Sequence, residues 1–152
     1  MSQQFYPLLV KEVEKTTDDC SIVSFEVKEE FKDAFAFTQG QYLTLKKEIA
    51  GEEVRRAYSL CSSPLDEEWK VAVKLVPGGK FSTFVNESLD AGEQLEVMPP
   101  NGKFFTNIDA DRSRHYVAFA AGSGITPIFS IIKTHLLAEP KSTFKLFYVN
   151  QY

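Results

Sequence analysis

Residues Arg56–Pro64 read RAYSLCSSP. A plain barrel strand alternates apolar residues with charged ones, whereas this one carries a cation, a phenol and three hydroxyls. Residues two apart share a strand face, so Arg56 and Tyr58 align while Ala57 and Ser59 look the other way. A guanidinium offers a planar fork matched to phosphate oxygens. A tyrosine ring can cover a flat apolar surface, and a serine hydroxyl can hydrogen-bond a ring nitrogen. The mixture fits a ligand that joins phosphate to an aromatic ring. Alone, it also fits an ordinary barrel strand with an exposed arginine and a half-buried tyrosine.

Working outward, the first two-thirds of the chain is β in pattern. YPLLVKEVEKTT is a strand candidate, and CSIVSFEVKEE sets Ile22, Phe25 and Val27 against polar neighbours. GQYLTLKKEIAGEEVRRAYS gives two strands around a turn at Gly51. EEWKVAVKL places Trp69, Val71, Val73 and Leu75 on one face. GEQLEVMPPNGKF is a short strand that Pro99 and Pro100 are expected to end. FSTFVNESLDAG, between the last two strands, predicts a helix opening near Ser82 and closed by Gly92. Six short strands favour closure, which removes exposed edges.

The pattern changes after Arg114. HYVAFAAGSGITPIFSIIKTHLLAEPKSTFKLFYV is an apolar run, a glycine turn, an apolar helix and a second apolar run. Such runs around a helix predict parallel strands in a β-α-β unit. The predicted fold is an all-β, six-stranded antiparallel Greek-key barrel with one inserted helix, followed by an incomplete α/β nucleotide-binding unit. The division falls at residues 1–110 and 111–152, within the polar NIDADRSR. A single β-α-β unit has fewer strands than an α/β domain normally needs. The 152 residues are therefore expected to be a fragment, with little activity of their own.

Two further stretches carry chemistry. In VPGGKFSTF, Gly78 and Gly79 precede the helix start, where Lys80, Phe81 and a capping Ser82 would present free N–H groups to an anion. An ordinary turn before a capped helix is the plainer reading. In AAGSGITP, Gly122 and Gly124 sit between strand and helix, where glycines let a pyrophosphate approach the backbone. The third glycine of that fingerprint is replaced by Pro127, which suits a first helical turn.

Composition excludes several classes. The net charge of −4 offers no electrostatic case for nucleic acid. Cys20 and Cys61 are too few for a disulfide framework or a four-cysteine metal site, and only His115 and His135 could assist. No metal is expected. The first residues lack the apolar core of a signal peptide, and no apolar run reaches membrane length. A cytoplasmic location is the expectation.

RAYSLCSS, VAVKLVPGGKFSTF and AAGSGITP occur in the order and at the spacing of the ferredoxin–NADP⁺ reductase superfamily. FTQGQYLTL, GEQLEVMPPNGKF and FKLFYVNQ extend the resemblance over nearly the whole chain. It is similar in particular to reductases that serve oxygenases of phenylacetate and aromatic degradation. The resemblance implies FAD and NAD(P)H as cofactors, with electrons passing through FAD to an iron–sulfur, ferredoxin-type domain or protein and on to an oxygenase component. It implies Arg56 on the FAD pyrophosphate, Ala57 and Tyr58 against the isoalloxazine, and Ser59 as the catalytic hydroxyl near N5. Val73, Lys74 and Leu75 would line the flavin largely through backbone atoms. Gly78, Gly79, Lys80, Phe81 and Ser82 would form the phosphate-binding loop and helix start. Gly122, Gly124, Thr126 and Pro127 would face NAD(P)H or the flavin edge.

There are departures. Gln39 stands where the family usually has proline, and Val149 and Gln151 replace the usual glycine and arginine. Cys61, beside the flavin strand, reads as a small buried side chain and not as a redox group. Two other functions fit the same residues: a non-catalytic FAD-binding or electron-transfer docking module, and a ligand-free barrel used for protein contacts. Self-association through residues 115–152 is a further expectation, because that segment is rich in apolar side chains.

Overall fold

The computed structural model describes residues 4–151. Six strands form one antiparallel sheet: β1 (Tyr6–Thr17), β2 (Cys20–Glu26), β3 (Tyr42–Ile49), β4 (Glu52–Ser59), β5 (Trp69–Lys74) and β6 (Gln94–Asn101). Their order in space is β4-β3-β6-β1-β2-β5. The two edges meet where Leu60, just past β4, bridges Val71 of β5, and the Cys61 N–H reaches the Lys70 carbonyl at 2.9 Å. The sheet thus closes into the expected barrel, and the non-sequential order is its Greek-key crossover.

Alternation builds the core. Leu8 and Val10, Leu43 and Leu45, Val71 and Val73, and Leu95 and Val97 all point inward and are essentially inaccessible. On β2 the inward residues are Val23 and Phe25, followed by Val27, so Ile22 lies on the opposite face from the one expected. Each buried Val, Leu or Phe contributes roughly 1.5–3 kcal/mol. Phe35 plugs one end of the barrel from a single helical turn, α1 (Lys32–Phe35), and its carbonyl accepts the Trp69 indole N–H at 2.8 Å. This turn is an addition to the one inserted helix expected.

Two local predictions need correction. Pro99 and Pro100 do not end the sixth strand, which runs on to Asn101. They sit where pairing with β3 slips between Tyr42↔Asn101 and Thr44↔Met98, an irregularity in which missing N–H donors cost no ladder bond. The inserted helix, α2 (Lys80–Glu87), opens two residues before Ser82. Its cap is Gly79, where a Cβ would fall 2.7 Å from the Ser82 hydroxyl and 3.0 Å from the Val76 carbonyl oxygen. Ser82 is not the cap: its buried hydroxyl accepts the Val76 N–H at 3.0 Å and so ties down the loop. The Ala50–Gly51 turn has both residues at positive φ, the twist that joins β3 to β4.

After residue 114, β7 (His115–Ala121) and β8 (Thr143–Val149) pair in parallel around α3 (Ile125–Ala138), the predicted β-α-β unit. Ala118, Ala120 and Ile128 form its small core. Barrel and unit meet along α3. The Ser130 hydroxyl donates to the Ser62 carbonyl at 2.6 Å, the Ser63 and Thr134 hydroxyls lie 2.7 Å apart, and Lys133 pairs with Asp66 at 2.6 Å. The connecting segment is pinned as well. Gln39, buried in place of the family's proline, donates to the Thr106 carbonyl at 2.8 Å.

Candidate functional site

A groove of about 450 Å³ opens where the barrel seam faces the β-α-β unit. One wall is Ala57, Tyr58 and Ser59 at the end of β4. The floor is Ala72, Lys74 and Leu75 of β5, running into Val76 and Pro77. Ser123, from the turn after β7, and Thr126, in the first turn of α3, close the far side. Its size lies within the range of small-molecule and cofactor sites. Three separate stretches singled out in the sequence therefore converge on one cleft.

Arg56 and Tyr58 share the inward-facing register of β4, opposite Leu45 and Leu43. Val54 and Leu60, on the same face, are buried; Arg56 is exposed and Tyr58 half-buried because the strand passes the seam there. Among the described residues the Arg56 guanidinium makes one hydrogen bond, to the Arg55 carbonyl at 2.7 Å, which leaves most of its donors without a partner there. Burial pushes the Tyr58 phenol above its ordinary pKa, with the Arg56 charge opposing, so the ring stays neutral at physiological pH. Phe81, in the first turn of α2, backs that ring at 5.9 Å between centroids. Tyr58 is thus held against the helix start, whose first N–H groups have no intrahelical partner.

The other predicted residues fall out unevenly. Ser59 lines the groove beside Tyr58, although it lies on the opposite strand face. Val73 is fully buried in the core, and its carbonyl is occupied by the Asn86 amide at 3.1 Å, so only Lys74 and Leu75 of that trio face the groove. Gly78 sits at positive φ with open space around it, while Gly79 is the tight position described above. Lys80 does not line the groove itself; it is engaged in an ion pair with Glu52, which joins the start of α2 to the start of β4. Gly122 adopts a positive φ of 54° and, with Ser123, lines a neighbouring cleft beside Lys74 and Asn150. Thr126 reaches the main groove, and its hydroxyl bonds the Ser123 carbonyl at 3.0 Å. Gly124 and Pro127 line neither cleft and serve the turn and the helix start instead.

The sequence reading missed one cluster. Glu139, at the end of α3, is fully buried and accepts from the Ser142 hydroxyl at 2.8 Å, the Tyr116 hydroxyl at 2.9 Å and the Asp109 N–H at 3.1 Å. His135 lies 3.2 Å away, also buried. Burial would raise the carboxyl, but these donors and His135 overrule it and hold Glu139 down to about 2. The cluster fastens residues 106–114 to the β-α-β unit. The His135–Glu139 spacing of four on a helix was the available signal. Cys61 is half-buried and not fully buried as expected, and burial pushes its thiol up to about 11. Among the described residues no group of three or more His, Cys, Asp or Glu could hold a metal, and no helix is long and apolar enough to cross a membrane.

Barrel, groove and β-α-β turn together have the architecture of an oxidoreductase FAD-binding domain. A family model for the oxidoreductase FAD-binding domain matches residues 7–106, and the chain belongs to that family, the ferredoxin-reductase-like flavoproteins. FAD is its cofactor. The chain is 46% identical over 147 residues to one of the subunits of 1,2-phenylacetyl-CoA epoxidase from Escherichia coli (strain K12), covering 97% of this chain and 41% of that protein. It is 44% identical over 128 residues to the ferredoxin reductase component of 3-ketosteroid-9-alpha-monooxygenase from Rhodococcus rhodochrous, covering 82% of this chain and 35% of that one. Among solved structures it resembles phthalate dioxygenase reductase, with a TM-score of 0.79 and 26% identity over 97% of this chain and 44% of that chain. That protein is a modular one for electron transfer from pyridine nucleotides to [2Fe–2S]. The chain thus spans about two-fifths of the length of these relatives.

Proposed function

We propose that the chain binds FAD in the groove and forms the flavin-bearing part of an NAD(P)H-dependent oxidoreductase of the ferredoxin reductase type. Its partner is an iron–sulfur centre serving an oxygenase, in phenylacetate or related aromatic degradation in the cytoplasm. One observation carries this reading: Tyr58 and Ser59, Lys74 and Leu75, and Ser123 and Thr126 come from three separated stretches yet line one cleft. Residues 1–110 act as the FAD-binding barrel, and residues 111–152 contribute a β-α-β part of the NAD(P)-binding unit.

The residues present fit such a dinucleotide. Arg56, exposed and with donors to spare, neutralises the pyrophosphate together with the N–H groups that open α2 at Lys80, Phe81 and Ser82. Gly78 and Gly79 keep side chains out of that approach. Tyr58, braced by Phe81, excludes water from one ring face, and the Ser59 hydroxyl is the proton-bearing group nearest it on the strand. Lys74 and Leu75 give the floor. Gly122, Gly124, Thr126 and Pro127 shape the turn on the nicotinamide side. Bound flavin supplies the change from two-electron to one-electron chemistry; the protein supplies orientation and electrostatics.

Mass spectrometry of cofactor released from the purified chain tests the reading. FAD is expected; FMN as the main species, or a colourless chain unable to take up FAD, would overturn it. Bleaching of the bound colour by NADH or NADPH separates a reductase from a non-catalytic docking module.

A further inference from the structure

Glu52 opens β4 and shares a strand face with Val54 and Arg56. Its carboxylate grips the Lys80 ammonium at the start of α2, the residue whose N–H begins the helix. The hydrogen bond and charge of Lys80, reinforced by Arg56, hold the Glu52 carboxyl below its ordinary range. The surroundings are otherwise cationic: Arg56, Lys80 and the positive end of the helix. Glu52 is therefore the anion that this cluster finds within the chain itself.

Both partners are more than half exposed, at 55% for Lys80 and 61% for Glu52. Exposed pairs of this kind are weak, because water screens them and holding two long side chains together costs entropy. A pyrophosphate brings two negative charges to the same place, so it can outcompete a single carboxylate for Lys80.

From this geometry we infer that Glu52 is an internal counter-ion for the pyrophosphate site, a latch on Lys80 that FAD displaces when it binds. The inference rests on the FAD reading and adds a specificity element to it. Glu52 lowers the affinity for every phosphate-bearing flavin while leaving the phosphate-free ring untouched. It also keeps Lys80 paired when the cleft holds no anion, which suppresses adventitious binding of other phosphates.

Calorimetric titration of the apo chain with FAD and with riboflavin tests this. Glu52→Gln should tighten FAD binding by about two- to fivefold at low salt, the scale of one exposed charge contact. It should leave riboflavin binding unchanged, and the gain should fade at high ionic strength. Lys80→Met should weaken FAD binding more in the Glu52→Gln background than in the wild type, because only there is the ammonium free from the start. Equal or weaker FAD binding by Glu52→Gln, in a chain whose wild type binds FAD, would overturn the latch and make the pair a clip that shapes the cleft. Absence of FAD binding by the wild type would overturn the flavin reading, and the latch with it.

Discussion

The Ser63 and Thr134 hydroxyls lie 2.7 Å apart, 71 residues distant in the chain, with neither side chain exposed. They link the segment that follows the Tyr58–Ser59 strand to the helix that follows the Ser123–Thr126 turn. The Leu65 N–H donates to Ser63, and Thr134 donates onward to the Ser130 carbonyl at 2.7 Å, which orders the donors along the relay. The two walls of the groove thus share a fixed seam. Thr134→Val keeps the shape but strands the Ser63 hydroxyl, and should cost about 1–3 kcal/mol. Urea unfolding followed by Trp69 fluorescence measures it, with Thr134→Ser close to wild type as the control. Equal stability of Thr134→Val and wild type would show that the contact contributes nothing.

Arg56→Ala should weaken FAD binding by about ten- to a hundredfold, from the roughly 1.5–3 kcal/mol of a charge-assisted phosphate contact. The barrel should keep its unfolding midpoint, because the side chain is exposed and, among the described residues, hydrogen-bonds its own neighbour's carbonyl alone. An unchanged dissociation constant would place the pyrophosphate elsewhere.

Glu139 predicts an acid-sensitive linker. Its carboxyl sits near 2 in the folded chain against an ordinary 4.5. Between these values the unfolded chain binds the proton and the native one does not. Stability from this group is therefore complete above about pH 5 and is lost as pH falls from 4.5 toward 2. Glu139→Gln should be less stable at neutral pH, because the amide turns a donor toward groups that already donate. Its midpoint should also vary less with pH in that window. Parallel pH profiles for wild type and variant would refute the assignment.

Cys61 is expected to be a slow thiol. With its pKa at about 11, the thiolate fraction at neutral pH is far below that of free cysteine. Alkylation by iodoacetamide at about pH 7.5, read at Cys61 by peptide mass spectrometry, should be slower than for free cysteine. Cys61→Ala should still bind FAD. A fast reaction would reopen the redox role set aside for it.

The barrel was legible because alternation is strong where one strand face is buried: Trp69, Val71 and Val73 need no context to be read. Ile22 reads the wrong way because β2 carries a serine on each face, Ser21 inward with Val23 and Phe25, and Ser24 buried on the Ile22 side, so hydrophobicity there is not a guide to direction. The proline pair misled because a break in local hydrogen bonding also occurs at a pairing irregularity, which only the partner strand reveals. Of the site, the residue types were legible and their engagement was not. Val73 and Lys80 stand in the expected stretches, but one is spent on the core and the other on Glu52. The seam and the Glu139 cluster depend on contacts across tens of residues, and no short pattern announces those.

The face of the β7–β8 sheet that points away from α3 gives the last prediction. Tyr116, Ala118 and Ala120 turn toward the helix side, so Val117 and Phe119 turn outward, and Phe119 is 74% exposed. By register, Phe147 and Val149 of β8 share that face, and Phe119 stacks on Phe147 at 5.1 Å. Lys145 interrupts it, and the hydrogen-bonded pair His115 and Thr143 bounds it at the start of the two strands. Exposed apolar surface is unfavourable by about 25 cal/mol per Å², and patches of a few hundred Å² tend to acquire partners. The chain should therefore self-associate through residues 115–152, with a light-scattering mass that rises with concentration. Phe119→Lys should return it to the monomer, since it places a charge at the centre of the patch while the barrel and its FAD affinity stay as they were. On the proposed reading, NAD(P)H-driven turnover in a diaphorase assay should be weak in the chain alone, which spans about two-fifths of the length of its curated relatives. A concentration-independent monomer with brisk turnover would show that the face needs no cover.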